Sequence, residues 1–221
     1  MKYGFYKYLL FIVVMPGSFT GCERLPEQSN QRRDIILTKT EQALSAEANR
    51  FAFDLFQQVN SEDKNYFISP LSASLALSMT ANGTAGETAA QMKDVLGFEA
   101  FSYEQMNGFF KKISRELTEA DQLTELGIAN SVWIREGFPV YEKFKEIVRL
   151  WYRAQIEELD FSSPSAIETI NNWCASQTNG KIEEIIDEIP PAMFMYLINA
   201  LYFKGTWTYS FDKSTTYSDR F

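Results

Sequence analysis

From Met193 to Phe203 the chain reads MFMYLINALYF, an almost continuous apolar run with aromatics and no charge. A run of this kind suits a long strand in the middle of a sheet, covered on both faces. A chain built around it needs neighbouring strands and cover on either side, so the remaining segments must supply both. Two further stretches read as strands. Leu126 to Arg135 alternates and contains Val132, Trp133 and Ile134, and Ala154 to Phe161 is the second.

The cover comes from helical stripes. Leu44, Ala48, Phe51, Ala52, Leu55, Phe56 and Val59 recur on one face. Asn65 to Ile68 is a short extended piece ending at Ser69-Pro70, where serine caps and proline takes the first helical position. That helix carries Leu71, Leu75 and Met79 and stops near Gly83. Helical spacing returns over Thr88 to Leu96, in Tyr103, Met106, Phe110, Ile113 and Leu117, and in Tyr141, Phe144, Ile147, Val148 and Trp151. A last helix holds Ile167, Ile170, Trp173 and Cys174 and closes at Asn179-Gly180. Helices come first and strands interleave late, which is an α+β pattern rather than a regular βαβ alternation. Hydrophobic residues are 45% of the 221, ample for a packed core.

The N-terminus is an address. Lys2 and Lys7 form a basic n-region, Tyr8 to Met15 is unbroken and apolar but too short to span a bilayer, and Pro16-Gly17 breaks the helix. Phe19-Thr20-Gly21-Cys22 resembles a bacterial lipoprotein box, which implies cleavage before Cys22 and lipid on its sulfur. Phe19 stands where such boxes usually have leucine. The expected organisation is a signal peptide over 1–21, a lipid-anchored tether over 22–40 and a folded part over 41–221. The protein would be exported and held at the cell envelope, or be extracellular.

Composition removes several chemistries. The formal net charge is −8, and loss of Lys2 and Lys7 would leave 19 basic against 29 acidic residues. Such a surface repels phosphate backbones, so no nucleic-acid partner is expected. The absence of histidine removes the usual hydrolase triads and most zinc sites. With Cys22 used for lipid, Cys174 has no disulfide partner.

Five stretches, in order, resemble the serpin family. Asn65-Tyr66-Phe67-Ile68-Ser69-Pro70-Leu71-Ser72 is similar to the entry into its second helix. Met79-Thr80-Ala81-Asn82-Gly83-Thr84-Ala85-Gly86-Glu87-Thr88 is similar to the turn into its third. Ala129-Asn130-Ser131-Val132-Trp133 resembles a strand of the large sheet. Ile170-Asn171-Asn172-Trp173 with Thr178-Asn179-Gly180-Lys181-Ile182 is a weaker match. Asn199 to Trp207, followed by Phe211 and Phe221, resembles the end of the central strand and the crossing beyond it. The resemblance runs from about Leu44 to Phe221.

The resemblance implies a truncated serpin-like fold: N-terminal helices packed on the first strands of the large central sheet. It also implies an inhibitor of serine or cysteine proteases, whose cleaved reactive loop inserts as a new strand. Ser69, Ser72 and Asn199 match the polar cluster beneath the point where the sheet parts, called the shutter. Trp207 matches the tryptophan at the breach, where insertion begins. Without the family, Ser69 is a helix cap, Asn199 a satisfied core amide, Trp207 a core aromatic, and Gly83 and Gly86 are turn and cap residues. The family domain is nearly twice as long, and the hinge, reactive loop and reactive bond match nothing in these residues. The chain alone is therefore expected to be inactive as an inhibitor. The other expectation is a non-inhibitory surface lipoprotein or binding module that retains half of the fold.

An enzyme reading finds little. Glu183, Glu184, Asp187 and Glu188 lack the glycine-turned loop of a calcium site and read as a solvated face. Glu157 and Glu158 are strand neighbours that face opposite ways. Gly83-Thr84-Ala85-Gly86 lacks the Lys-Ser/Thr of a phosphate loop. No catalytic residue, metal or cofactor is expected.

Overall fold

The structure, a computed structural model, describes residues 32–60, 65–207 and 212–218. Cys22, Phe211 and Phe221 lie outside the described residues.

Among the described residues six α-helices pack around three strands. In chain order they are α1 (Lys39–Val59), α2 (Pro70–Ala81), α3 (Gly86–Val95), α4 (Tyr103–Glu119), β1 (Thr124–Arg135), α5 (Glu142–Tyr152), β2 (Gln155–Leu159), α6 (Pro164–Gln177) and β3 (Met195–Gly205). A short 3₁₀ turn follows at Lys213–Thr215.

The helix starts follow capping chemistry. Thr38 and Glu41 form a capping box, with the Thr38 hydroxyl accepting from Glu41 N–H and the Glu41 carboxylate from Thr38 N–H. Ser102 and Gln105 do the same for α4. Ser69 and Ser163 each cap a helix whose first position is proline. The capping box explains why α1 begins at Lys39, five residues before the first apolar stripe residue. Ser163-Pro164 likewise starts α6 before its stripe.

The stretch expected as a tether meets the folded part at Arg33. Arg33 N–H donates to Ala120 C=O at 2.7 Å and its guanidinium pairs with Glu119 at 3.1 Å. Lys112 donates to Ile36 C=O at 2.7 Å and pairs with Glu41 at 2.8 Å. Lys112, then the Thr38 N–H, holds the Glu41 carboxyl below the usual carboxylate range.

The sheet order is β2-β1-β3. β1 and β2 run parallel, from Ser131 opposite Gln155 to Arg135 opposite Leu159, with α5 as the crossover. β1 and β3 run antiparallel, from Thr124 opposite Gly205 to Ile134 opposite Met195. The second strand is shorter than Ala154 to Phe161, because both end residues are buried but lie outside the ladder.

Period-two alternation splits β1 between two cores. Val132 and Ile134 face α1, α2, α4 and α5, packing among Leu44, Leu75, Met79, Phe98, Met106 and Phe110. Trp133 faces α6 and meets Ile170, Trp173 and Cys174, with Ile198 and Ala200 from β3. The Trp133 and Trp173 rings meet edge-on at 6.0 Å. Helix α2 is the central one. It carries no charge and buries Ser74 and Ser78 along with Leu75, Met79 and Ala81.

A closed polar knot ties α2, α4 and α5 together. Asn82 donates to Asn107 Oδ1 at 2.9 Å and to Ser78 C=O at 2.8 Å, and Asn107 donates back to Asn82 Oδ1 at 2.9 Å. The Tyr152 hydroxyl donates to Asn107 Oδ1 at 2.6 Å. Burial pushes the Tyr152 phenol well above its ordinary range. Cys174 is buried and free, and burial raises its thiol pKa as well.

Candidate functional site

Strand β3 is half paired among the described residues. One edge hydrogen-bonds to β1. The other has no strand beside it among the described residues. A row of backbone donors and acceptors from Met195 to Gly205 is therefore open to another strand. Helix α2 packs beneath the strand on one face and α6 lies on the other.

Asn199 sits midway along β3, opposite Asn130. Its Nδ2 donates to Asn130 Oδ1 at 2.8 Å and to Ala129 C=O at 3.3 Å. Asn130 in turn donates to Tyr152 C=O at 2.8 Å, which links the sheet to the end of α5. Asn199 Oδ1 is buried and has no donor. An orphaned buried carbonyl oxygen of this kind costs about 1–3 kcal/mol unless a donor reaches it.

Ser69 and Ser72 sit at the start of α2, both half-buried. The Ser72 hydroxyl donates to Ser69 Oγ at 2.9 Å, and Ser72 N–H donates to the same oxygen at 3.3 Å. Ser69 is thus a helix cap, and its hydroxyl also holds a second hydroxyl. Among the described residues the serine pair and the Asn199–Asn130 pair remain two separate hydrogen-bonded units.

Asn130 is the member that sequence reasoning passed over as a site residue. The signal was there: it alternates with Val132 and Ile134, so it is an amide on a strand face that is otherwise apolar. It is only 6% exposed. Trp207 lies two residues past the last ladder pair and is 71% exposed, so it is not a core aromatic. Gly86 takes φ 60°, which requires a glycine-like position at the start of α3, whereas Gly83 has an ordinary backbone.

The alternative sites gather nothing. Glu183, Glu184, Asp187 and Glu188 are all exposed. Among the described residues no group of three or more acidic or cysteine side chains is placed to hold a metal ion. Glu158 pairs with Lys145 at 3.2 Å, while Glu157 stands on the other side of β2 and accepts from Gln155 at 2.6 Å. No helix among the described residues is long and apolar enough to cross a membrane.

Comparison with known proteins agrees with this arrangement. The family model described as Serpin (serine protease inhibitor) matches residues 46–221. A serpin-like protein of Thermococcus kodakarensis is 31% identical over 191 residues, covering 85% of this chain and 45% of that protein. Heparin cofactor 2 of Oryctolagus cuniculus is 34% identical over 183 residues, covering 78% of this chain and 38% of its own length. Among solved structures, the thermophilic serpin tengpin in its latent state superposes with a TM-score of 0.75 at 36% identity, over 85% of this chain and 50% of that one. The native state of tengpin gives 0.71 at the same identity. The chain thus spans about half the length of the relatives it matches, and within that span their fold is present: helices packed on a three-stranded mixed sheet in an α+β arrangement. The order of motifs, the sheet and the match over residues 46–221 agree, and the chain belongs to the serpin (serine protease inhibitor) family.

Proposed function

We propose that this chain is the sheet-bearing half of a serpin-type inhibitor of serine or cysteine proteases, acting by insertion of a reactive loop that lies outside these 221 residues. The observation that carries the reading is the serpin match over residues 46–221, with β3 carrying the buried, donorless Asn199 Oδ1 at its midpoint. An incoming strand would satisfy the backbone of β3, and a donor on that strand would satisfy the amide oxygen. Ser69, Ser72 and Asn199 then act as the shutter. Hydroxyls and an amide suit that role because they can exchange hydrogen-bond partners when the sheet opens. Trp207, exposed just past the end of β3, acts as the breach.

The test is complex formation. The protein made from its full reading frame, mixed with trypsin-, elastase- and subtilisin-like proteases, should form an SDS-stable complex that needs the protease's active serine. The 221-residue polypeptide should form none. A complex from the short polypeptide would place the reactive bond within it and overturn the division proposed here. Digestion of the full protein without any complex would favour the non-inhibitory surface lipoprotein instead.

The same reading includes a lipid anchor at Cys22, with residues 1–21 as signal peptide and the protein held at the cell envelope. Its support is the apolar segment followed by Gly21-Cys22. Cells fed a clickable fatty acid should label the protein, and Cys22→Ser should abolish the label. Equal labelling of the variant would rule the anchor out.

A further inference from the structure

Helix α4 ends at Glu119 with no basic residue in its last turn. The last carbonyls of a helix have no partner within it, and its C-terminal end carries partial negative charge. At α4 both needs are met from the far N-terminus. Arg33 N–H donates at 2.7 Å to the C=O of Ala120, the residue that caps α4, and the Arg33 guanidinium pairs with Glu119 at 3.1 Å. Three residues on, Ile36 C=O accepts from Lys112 Nζ at 2.7 Å. Lys112 also pairs at 2.8 Å with Glu41 in the first turn of α1. Gln42 reaches back to Leu37 C=O at 3.1 Å. From Lys112 to Ala120 the helix rises about 12 Å, and from Arg33 to Ile36 an extended chain covers about 10 Å. Residues 33–36 therefore lie along the last two turns of α4, antiparallel to it and fastened at both ends.

This clasp shortens the stretch expected as a tether. A chain free from Cys22 to Lys39 could reach about 60 Å. With Arg33 fastened, the links from residue 22 to residue 33 reach at most about 40 Å.

The clasp also fixes which end of the sheet is held. Ala120 stands just before Thr124, where β1 starts opposite Gly205, the last residue of β3. From there β1 runs to Arg135, about 36 Å away. The N-terminal chain thus leaves the fold beside the Thr124–Gly205 end of the sheet, remote from Arg135. The net charge of −8 opposes a body that lies flat on anionic lipid.

We infer that residues 33–36 are a fastening that holds the Thr124–Gly205 end of the sheet toward a lipid surface, within about 40 Å of it, with the Arg135 end turned away. The inference rests on the Cys22 anchor proposed above and names the face that the fold presents to the membrane. Trp207 follows the end of β3, so a strand that enters the sheet there enters on the membrane side.

The test places the lipidated protein from its full reading frame on vesicles of phosphatidylethanolamine and phosphatidylglycerol that carry a headgroup-labelled acceptor lipid. A donor dye is attached at one of two exposed positions, Gln122→Cys before β1 or Glu136→Cys after it. Cys174 is buried and does not compete for the dye. Energy transfer from position 122 should exceed that from position 136 by about twofold or more. Arg33→Glu sets two carboxylates against each other at the clasp. It should bring the ratio toward one with little change in melting, because the Arg33–Glu119 pair lies at the surface. Adding Glu119→Arg should restore the ratio. A form beginning at Glu23 should show no transfer, and transfer that survives there means the body itself binds lipid and overturns the inference. A parent protein that does not bind the vesicles sinks the anchor and the inference together. Vesicle binding with equal transfer from both positions, with greater transfer from position 136, or with a ratio that Arg33→Glu leaves unchanged sinks the orientation and leaves the anchor standing.

Discussion

Expressed by itself, a polypeptide of these 221 residues should self-associate rather than purify as a stable monomer. β3 presents a free ladder edge along its whole length, and its first charge is Lys204. Long apolar edges are templates for pairing with another chain. Several large apolar side chains are exposed as well. Phe53, Phe67, Phe203 and Trp207 are 69%, 98%, 66% and 71% exposed. Covering each contributes about 1.5–3 kcal/mol, so together they approach the whole stability of a typical domain, about 5–15 kcal/mol. Sedimentation should show large species at micromolar concentration. Co-expression with the C-terminal half of a related full-length serpin should restore solubility. Phe203→Lys should reduce association without entering either core, because a lysine on an edge strand opposes pairing. A monodisperse monomer with a sharp cooperative transition and no partner would show that this half of the fold is self-sufficient.

The second large effect concerns the Asn82–Asn107–Tyr152 knot. Asn107→Leu keeps the branched side-chain shape but removes the acceptor of the Tyr152 hydroxyl and both bonds to Asn82. Groups left unpaired at a site where Asn107 is only 3% exposed cost about 2–4 kcal/mol. Tyr152→Phe should cost only about 1 kcal/mol, because Asn107 Oδ1 still accepts from Asn82. The double variant should lose less than the sum, since no hydroxyl then remains unpaired. Urea unfolding of the protein from its full reading frame measures all three. Strict additivity, or a cost for Asn107→Leu below about 1 kcal/mol, would mean that water replaces the lost partners and the knot is not dry.

Much of this architecture is legible in the chain. Ser69-Pro70 starts a helix because the serine oxygen meets free N–H groups and proline has none to lose. Thr38-Lys39-Thr40-Glu41 carries a capping box that places the start of α1 five residues before its apolar stripe. β1 declares itself by alternation, and that alternation also sorts Val132 and Ile134 from Trp133 into two cores. Motif order was enough to point to the family, because each motif is a local turn, cap or strand whose chemistry is complete within a few residues.

What local sequence does not hold is partnership at a distance. Nothing around Asn130 says that its amide will reach Tyr152 C=O, 22 positions on, or receive Asn199 from 69 positions on. β3 reads as a central strand because its run is almost continuously apolar, although only Ile198 and Ala200 within it are buried in the structure. Whether its edges are also paired depends on which other strands arrive, and the described residues bring one. The sequence by itself determined the elements, their caps, the alternation and the family. The tertiary structure decided which polar groups are satisfied, which edge stays open and which charges converge, because those depend on pairs far apart in the chain that only packing brings within hydrogen-bond reach.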